Sequence, residues 1–226
     1  MLRHRTARPE RVKPEAQLES VSRVGEVLTL LDWKRRIFAL YQEIRESSIP
    51  EASWGRWRKV RDELFRAHPQ SPLPASARED FQGLDYFPYD PEYRTLAEVV
   101  EREPESVSIG ASGGKAIVFE RLGAARFELW GVTHTLDLYW LDAYGGGVFL
   151  PFAEATSESE SYPAGRYLLD SVKGADLGGV GERLVLDFNF AYNPSCAYDD
   201  RWVCPLAPPA NRLPVPIRAG ERAPRH

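Results

Sequence analysis

Cysteine, histidine and methionine are scarce in this chain: 226 residues include two Cys, four His and one Met. Two cysteines with no histidine beside them make no zinc site, which takes four protein ligands, or three and a water. The imidazoles are His4, His68, His134 and His226, and no cysteine-protease signature surrounds Cys196, so a cysteine nucleophile has no local support. No serine sits in a G-x-S-x-G elbow, and Ser112-Gly113-Gly114-Lys115 lacks the spacing of a phosphate loop, so it reads as a hairpin turn. No apolar run approaches the roughly 18 residues of a membrane span. The Arg- and Pro-rich start has no apolar core of a signal peptide. The expectation is a cytoplasmic protein without membrane contact. No charge of one sign dominates either: 29 Lys+Arg face 33 Asp+Glu, a net −4 that argues against a nucleic-acid partner. No internal repeat is visible.

Aromatics, by contrast, are plentiful. Ten Phe, ten Tyr and six Trp within a 43% hydrophobic composition exclude general disorder and can fill a sizeable core. The charge is unevenly divided: residues 1–69 sum to +5 and the remainder to −9. The basic part coincides with the helical part, so the two parts attract each other.

The periodicity predicts five segments. Residues 1–27 read as a mobile basic tail. Residues 28–69 read as a helical hairpin. Its first helix spans about 32–47, with Trp33, Ile37, Leu40, Tyr41 and Ile44 on one face and Asp32 as N-cap. Its second spans about 53–67, with Trp57, Val60, Leu64 and Phe65 as its stripe. Residues 70–105 form a crossing segment rich in proline and aromatics. From 106 to 204 the period becomes two, with Gly-rich turns and no intervening helices, which predicts an antiparallel β domain. Residues 205–226 carry six prolines and can be neither helix nor central strand. The expected fold is α+β, an N-terminal helical hairpin packed on a curved antiparallel β-barrel or sandwich.

The run 184–192 is the most informative for chemistry. Read as a strand, it puts Leu184, Leu186, Phe188, Phe190 and Tyr192 on one face and Asp187 and Asn189 on the other, roughly 6.6 Å apart. Asn193-Pro194 then signals a turn, and Arg166-Tyr167 open another strand. Gathered at one end of a barrel, Arg166, Tyr167, Asp187, Asn189, Tyr192 and Asn193 would line a polar pocket for a small molecule. There Arg166 can clamp an anionic group and Asp187 can act as base, which makes these two the catalytic candidates of a hydrolase or lyase. The third reading is an interaction protein whose helical hairpin binds a partner, the polar cluster being structural: an Arg166–Asp187 ion pair with the Asn side chains bracing turns. Whether the protein is an enzyme stays open. Cys196 and Cys204 read as structural thiols, or as a disulfide if a turn brings them together. Glu154, Glu158 and Glu160 read as a solvated acidic loop. No cofactor or metal site is expected, and nothing sets the oligomeric state.

Several stretches together resemble the family called domain of unknown function 1684. They are Leu31-Asp32-Trp33-Lys34-Arg35, Ser71-Pro72-Leu73, Phe81 to Pro88, Pro151-Phe152, Thr156-Ser157 and Tyr162 to Leu168. The longest is Asp187 to Pro194, followed by Cys196-Ala197-Tyr198, Cys204-Pro205, Asn211 and Ala219-Gly220-Glu221. The resemblance spans about residues 30–221. It implies candidate positions and no imported activity. Against the family pattern Glu154 stands for Asp and Glu158 for Gly, which argues against a tight positive-φ turn at 158.

Overall fold

In the computed structural model the described residues are 22–142 and 144–224. Helix α1 (Arg23–Glu46) starts a good two turns earlier than the apolar stripe predicts, because the Ser22 side chain caps it by accepting from the Gly25 N–H at 3.1 Å. Asp32 therefore lies inside the helix rather than at its start. The tail expected over 1–27 lies outside the described residues up to position 21, and residues 23–27 are helical. Helix α2 (Pro50–Ala67) opens on Pro50, whose fixed φ and missing N–H suit a first helical position. A one-turn helix α3 (Ala75–Arg78) follows. The two long helices close on Trp57, which is wholly buried and donates its indole N–H to the Tyr41 hydroxyl at 3.2 Å.

Among the described residues, seven strands make one antiparallel sheet: β1 (Arg94–Gly110), β2 (Ala116–Leu129), β3 (Val132–Trp140), β4 (Val148–Phe152), β5 (Arg166–Asp170), β6 (Gly179–Val180) and β7 (Arg183–Asp187). The order is β5-β4-β3-β2-β1-β7-β6, and the sheet does not close on itself. The fold is thus α+β with N-terminal helices on an antiparallel sheet, and the ring of a barrel is not formed. The β region begins at Arg94 rather than 106. Residues 98–106 of β1 are exposed, so no buried face imposes alternation there. The register shift between Glu101 and Glu105 takes up Pro104, which has no N–H for the ladder.

Two buried clusters lie within this frame. One joins Phe127, Leu136, Phe152 and Phe188 to Leu213, Ile217 and Ala219 of the C-terminal strip. The other joins Ile37, Leu40, Tyr41 and Trp57 of the hairpin to Phe119, Tyr139, Phe149 and Tyr167 of the sheet. The strip runs extended and is pinned by bridges Ala153–Arg212 and Tyr86–Glu221. Gly220 (φ +77°) presses so close to the chain after β7 that an added Cβ would lie 2.6 Å from the carbonyl oxygens of Phe188 and Ala191.

A candidate polar cavity at the end of strand β7

Strand β7 stops at Asp187. The Asp187 side chain accepts from the Asn189 backbone N–H at 3.0 Å and from its Nδ2 at 2.8 Å, so residues 188–190 coil into a single 3-10 turn. A short polar side chain here offers the backbone a better local partner than a ladder does. The alternation expected from 184 to 192 therefore ends midway, and Asp187 and Asn189 are joined directly instead of standing two strand positions apart. Asn189 is fully buried and ties this corner to Asp90, whose N–H it accepts at 3.0 Å and whose carbonyl it meets at 2.8 Å.

The second oxygen of Asp187, Oδ2, is buried and has no hydrogen-bond partner among the described residues. Its nearest cation is Arg94 Nε at 3.8 Å, on the residue directly opposite in β1. Both residues line a cavity of about 140 Å³ between the α1–α2 turn and β6–β7, with Arg45, Ser47, Ser53 and Phe190 among its walls. Burial pushes the Asp187 carboxyl up to about 6, against the opposing pull of the Asn189 hydrogen bonds and the Arg94 charge.

Arg166 is elsewhere. Its guanidinium donates to Glu154 at 3.2 Å and to the carbonyls of Ile217, Ala219 and Glu221 at 2.9, 2.5 and 3.1 Å. Glu154, completely buried, also accepts from the Thr156 N–H at 2.6 Å, the Ile217 N–H at 3.2 Å and the Ser161 hydroxyl. This satisfied pair fastens the 154–161 loop to the C-terminal strip. The loop expected to be solvated is wrapped round a buried carboxylate, and the Arg166–Asp187 ion pair of the structural alternative is not made. Glu158 adopts φ +89° in the same loop, so the positive-φ turn forms in spite of its side chain.

Tyr167 pairs its backbone with Tyr192, in both directions, and donates its hydroxyl to the Pro205 carbonyl at 2.5 Å. Tyr192 and Asn193 line a second, smaller cavity of about 60 Å³ with Trp57, Arg61 and Lys173. The Tyr192 hydroxyl and Asn193 Oδ1 are buried without hydrogen-bond partners among the described residues. The two cavities adjoin through the Phe190 and Trp57 rings, 5.3 Å apart. Arg61 is itself buried, pairs with Glu221 at 2.8 Å, and lies over the rings of Trp57, Phe65 and Tyr192. The six expected pocket residues thus divide: Asp187 at one cavity, Tyr192 and Asn193 at the next, Asn189 and Tyr167 in bracing roles, and Arg166 in the strip lock.

Sequence reasoning missed Arg94, Glu154, Arg61 and Glu221. Glu221 stands in a motif of the resemblance, and Glu154 two residues before Thr156 has the spacing of an Asx-like turn. Arg61 is one of several basic residues on α2 and has no distinguishing signal. Cys196 and Cys204 are both free and buried. Among the described residues no three His, Cys, Asp or Glu side chains gather as a metal site, and no helix is long and apolar enough to cross a membrane.

The corner carrying Asp187, Asn189 and Asn193 falls inside a stretch, residues 79–222, that matches the family described as "Protein of unknown function (DUF1684)". The chain belongs to this family. A DUF1684 fold is also consistent with a solved relative, the solution NMR structure of an uncharacterized protein of Haloarcula marismortui. It is 38% identical, the match covers 76% of this chain and 93% of that one, and the TM-score is 0.55. No curated protein matches the chain. The DUF1684 match takes in Arg94, Glu154, Arg166, Asp187 and Glu221 together, and leaves α1, α2 and Arg61 outside it.

Proposed function

We propose that this DUF1684 protein binds a small polar molecule in the cavity beside Asp187. The observation that carries the reading is Asp187, which lines the cavity and whose Oδ2 oxygen is buried with no hydrogen-bond partner among the described residues. A buried acceptor left without a donor costs stability, roughly 1–3 kcal/mol, and such costs concentrate at binding sites. A hydroxyl or protonated amine on the ligand would meet Oδ2, and a carboxylate or carbonyl would meet Arg94 or Arg45.

Thermal-shift titration tests this with glycolate, glycine and ethanolamine against the wild type and Asp187→Asn at pH 7. The reading expects at least one compound to raise the wild-type Tm and to lose that effect in the variant. Silence from all three, or equal shifts in both proteins, counts against it.

A second reading, a hydrolase or lyase with Asp187 as base, is favoured by the carboxyl raised to about 6, close to the pH at which a base works best. Arg94 would then steady the anionic group, because the donors of Arg166 are already used. An Asp187→Asn protein that still binds a compound without turning it over would select the enzyme. The cytoplasm belongs to the proposal, since free Cys196 and Cys204 suit a reducing compartment.

A further inference from the structure

The Cys196–Cys204 pair plays no part in either reading of the Asp187 cavity. The Cys196 backbone N–H donates to Cys204 Sγ at 3.4 Å, which sets one sulfur against the backbone that carries the other. The Tyr162 hydroxyl lies 3.9 Å from Cys196 Sγ. Ser112 fixes the far side, accepting from the Cys204 N–H at 3.1 Å. Two thiols set against each other and braced by two further chain segments, at Ser112 and Tyr162, are more than two buried apolar fillers.

We propose that Cys196 and Cys204 form a peroxide-oxidisable dithiol that closes to a reversible disulfide. Both are buried, Cys196 8% and Cys204 4% exposed, so a small oxidant such as hydrogen peroxide reaches them where a bulky disulfide would not. Cys196 reacts first. The neighbouring Cys204 thiol, and the Tyr162 hydroxyl beside it, favour the Cys196 thiolate, which lowers Cys196 to about 6 while Cys204 is raised. The Cys196 thiolate attacks one peroxide oxygen. The S–O bond forms, the O–O bond breaks, and the departing hydroxide takes up a proton to leave as water. Cys204 sulfur then attacks the sulfenic sulfur, the S–S bond forms and the S–O bond breaks. The hydroxide released takes the Cys204 proton, so two thiols and one peroxide give one disulfide and two waters.

Closure would ring residues 197–203, which already strap the hairpin exit to the strip. Arg201 donates to the Ser71 carbonyl at 3.0 Å, Trp202 Nε1 to the Pro72 carbonyl at 3.1 Å, and Tyr198 to Glu221. The disulfide therefore tightens the strap that borders the Arg61–Glu221 pair.

The test treats the folded full-length chain with hydrogen peroxide, then denatures, alkylates and weighs it. Expected is a loss of two hydrogens, the loss of both alkylatable thiols, and recovery of both by dithiothreitol. Cys204→Ser should stop at the sulfenic acid and take up dimedone at Cys196, whereas Cys196→Ser should take up none. The proposal falls if both wild-type thiols still alkylate under peroxide that fully oxidises free cysteine. It falls equally if oxidation yields covalent dimers or a sulfinic acid with the second thiol intact. The wild-type mass decides the matter even if a serine variant fails to fold.

Discussion

Arg94 and Asp187 are direct partners across β1 and β7, yet Arg94 Nε stops 3.8 Å from Asp187 Oδ2, beyond hydrogen-bond reach. The pair is lopsided: the Arg94 side chain is 38% exposed and the Asp187 side chain 1%. Water screens the guanidinium and does not reach the carboxylate. Burial therefore outweighs attraction, and the carboxyl rises in pKa instead of falling as a well-paired Asp would.

This fixes the sign of a pH effect. In the unfolded chain Asp187 titrates near its ordinary 3.8, and in the native protein near 6. Between those values the native state holds the proton more firmly, so this group stabilises the fold below about pH 4 and that contribution is lost as pH rises through 6. The loss amounts to roughly 3 kcal/mol. Asp187→Asn keeps an oxygen for the Asn189 donors and carries no charge. Urea unfolding at pH 8 should show the variant more stable than wild type, with the gain shrinking towards zero at pH 4. A variant less stable than wild type at pH 8 would contradict the argument.

The Glu154–Arg166 pair behaves in the opposite way, because both partners are buried and each makes several hydrogen bonds. Arg166→Met leaves a buried carboxylate unpaired and strips donors from three carbonyls. The expected cost is about 3–5 kcal/mol in urea unfolding at pH 7. Arg94→Met, which removes a partly exposed and distant partner, should cost under about 1 kcal/mol. Equal losses for the two variants would mean that burial does not separate them.

The sequence revealed the large pattern wherever a periodic apolar face existed: two helices, strands such as 132–140 and 148–152, and an extended proline-rich end. It failed where polar side chains decide the backbone. Ser22 extends α1 beyond its apolar stripe. Asp187 ends β7 by capping Asn189, and that cap converts a predicted strand face into a corner. The exposed 98–106 stretch of β1 has no buried side to impose a period. The polar residues near 187 were legible as residue types, but their partners were not, since Arg166–Glu154 and Arg61–Glu221 are contacts across 12 and 160 positions. Nothing in a local pattern reports such distances.

Glu158 offers a direct test of local strain. Its φ of +89° is uncommon for a residue with a Cβ, and glycine takes it without penalty. The steric relief, about 1–2 kcal/mol, exceeds the extra unfolded-state entropy of glycine, about 0.4–1 kcal/mol. Glu158→Gly should therefore stabilise the protein by roughly 0.5–1 kcal/mol in denaturant unfolding. A loss of stability would show that the Glu158 side chain contributes more than its backbone costs.

Gly220 and Gly114 separate backbone strain from crowding. Both have positive φ, +77° and +75°, so either alanine variant bears the same conformational penalty of about 1–2 kcal/mol. Around Gly114 nothing lies within 4 Å of an added Cβ. At Gly220 that Cβ would meet two carbonyl oxygens at 2.6 Å and the Ala191 Cβ at 2.9 Å, all of them backbone or rigid. The strip must then move away from the 188–191 corner. That loosens the Ala219 carbonyl held by Arg166 and the Phe87 N–H that donates to the Gly220 carbonyl at 2.9 Å. Overpacking adds about 1–3 kcal/mol. With the unfolded-state entropy that alanine removes, about 0.4–1 kcal/mol, set against the strain, Gly220→Ala should lose roughly 1.5–4 kcal/mol, against about 0.5–1 kcal/mol for Gly114→Ala. Amide exchange should quicken at Phe87 and Glu221 in the first variant alone, since their N–H groups bond across this contact to Gly220 and Ala191. Matching losses in the two variants would show that the close approach of strip and corner bears no load.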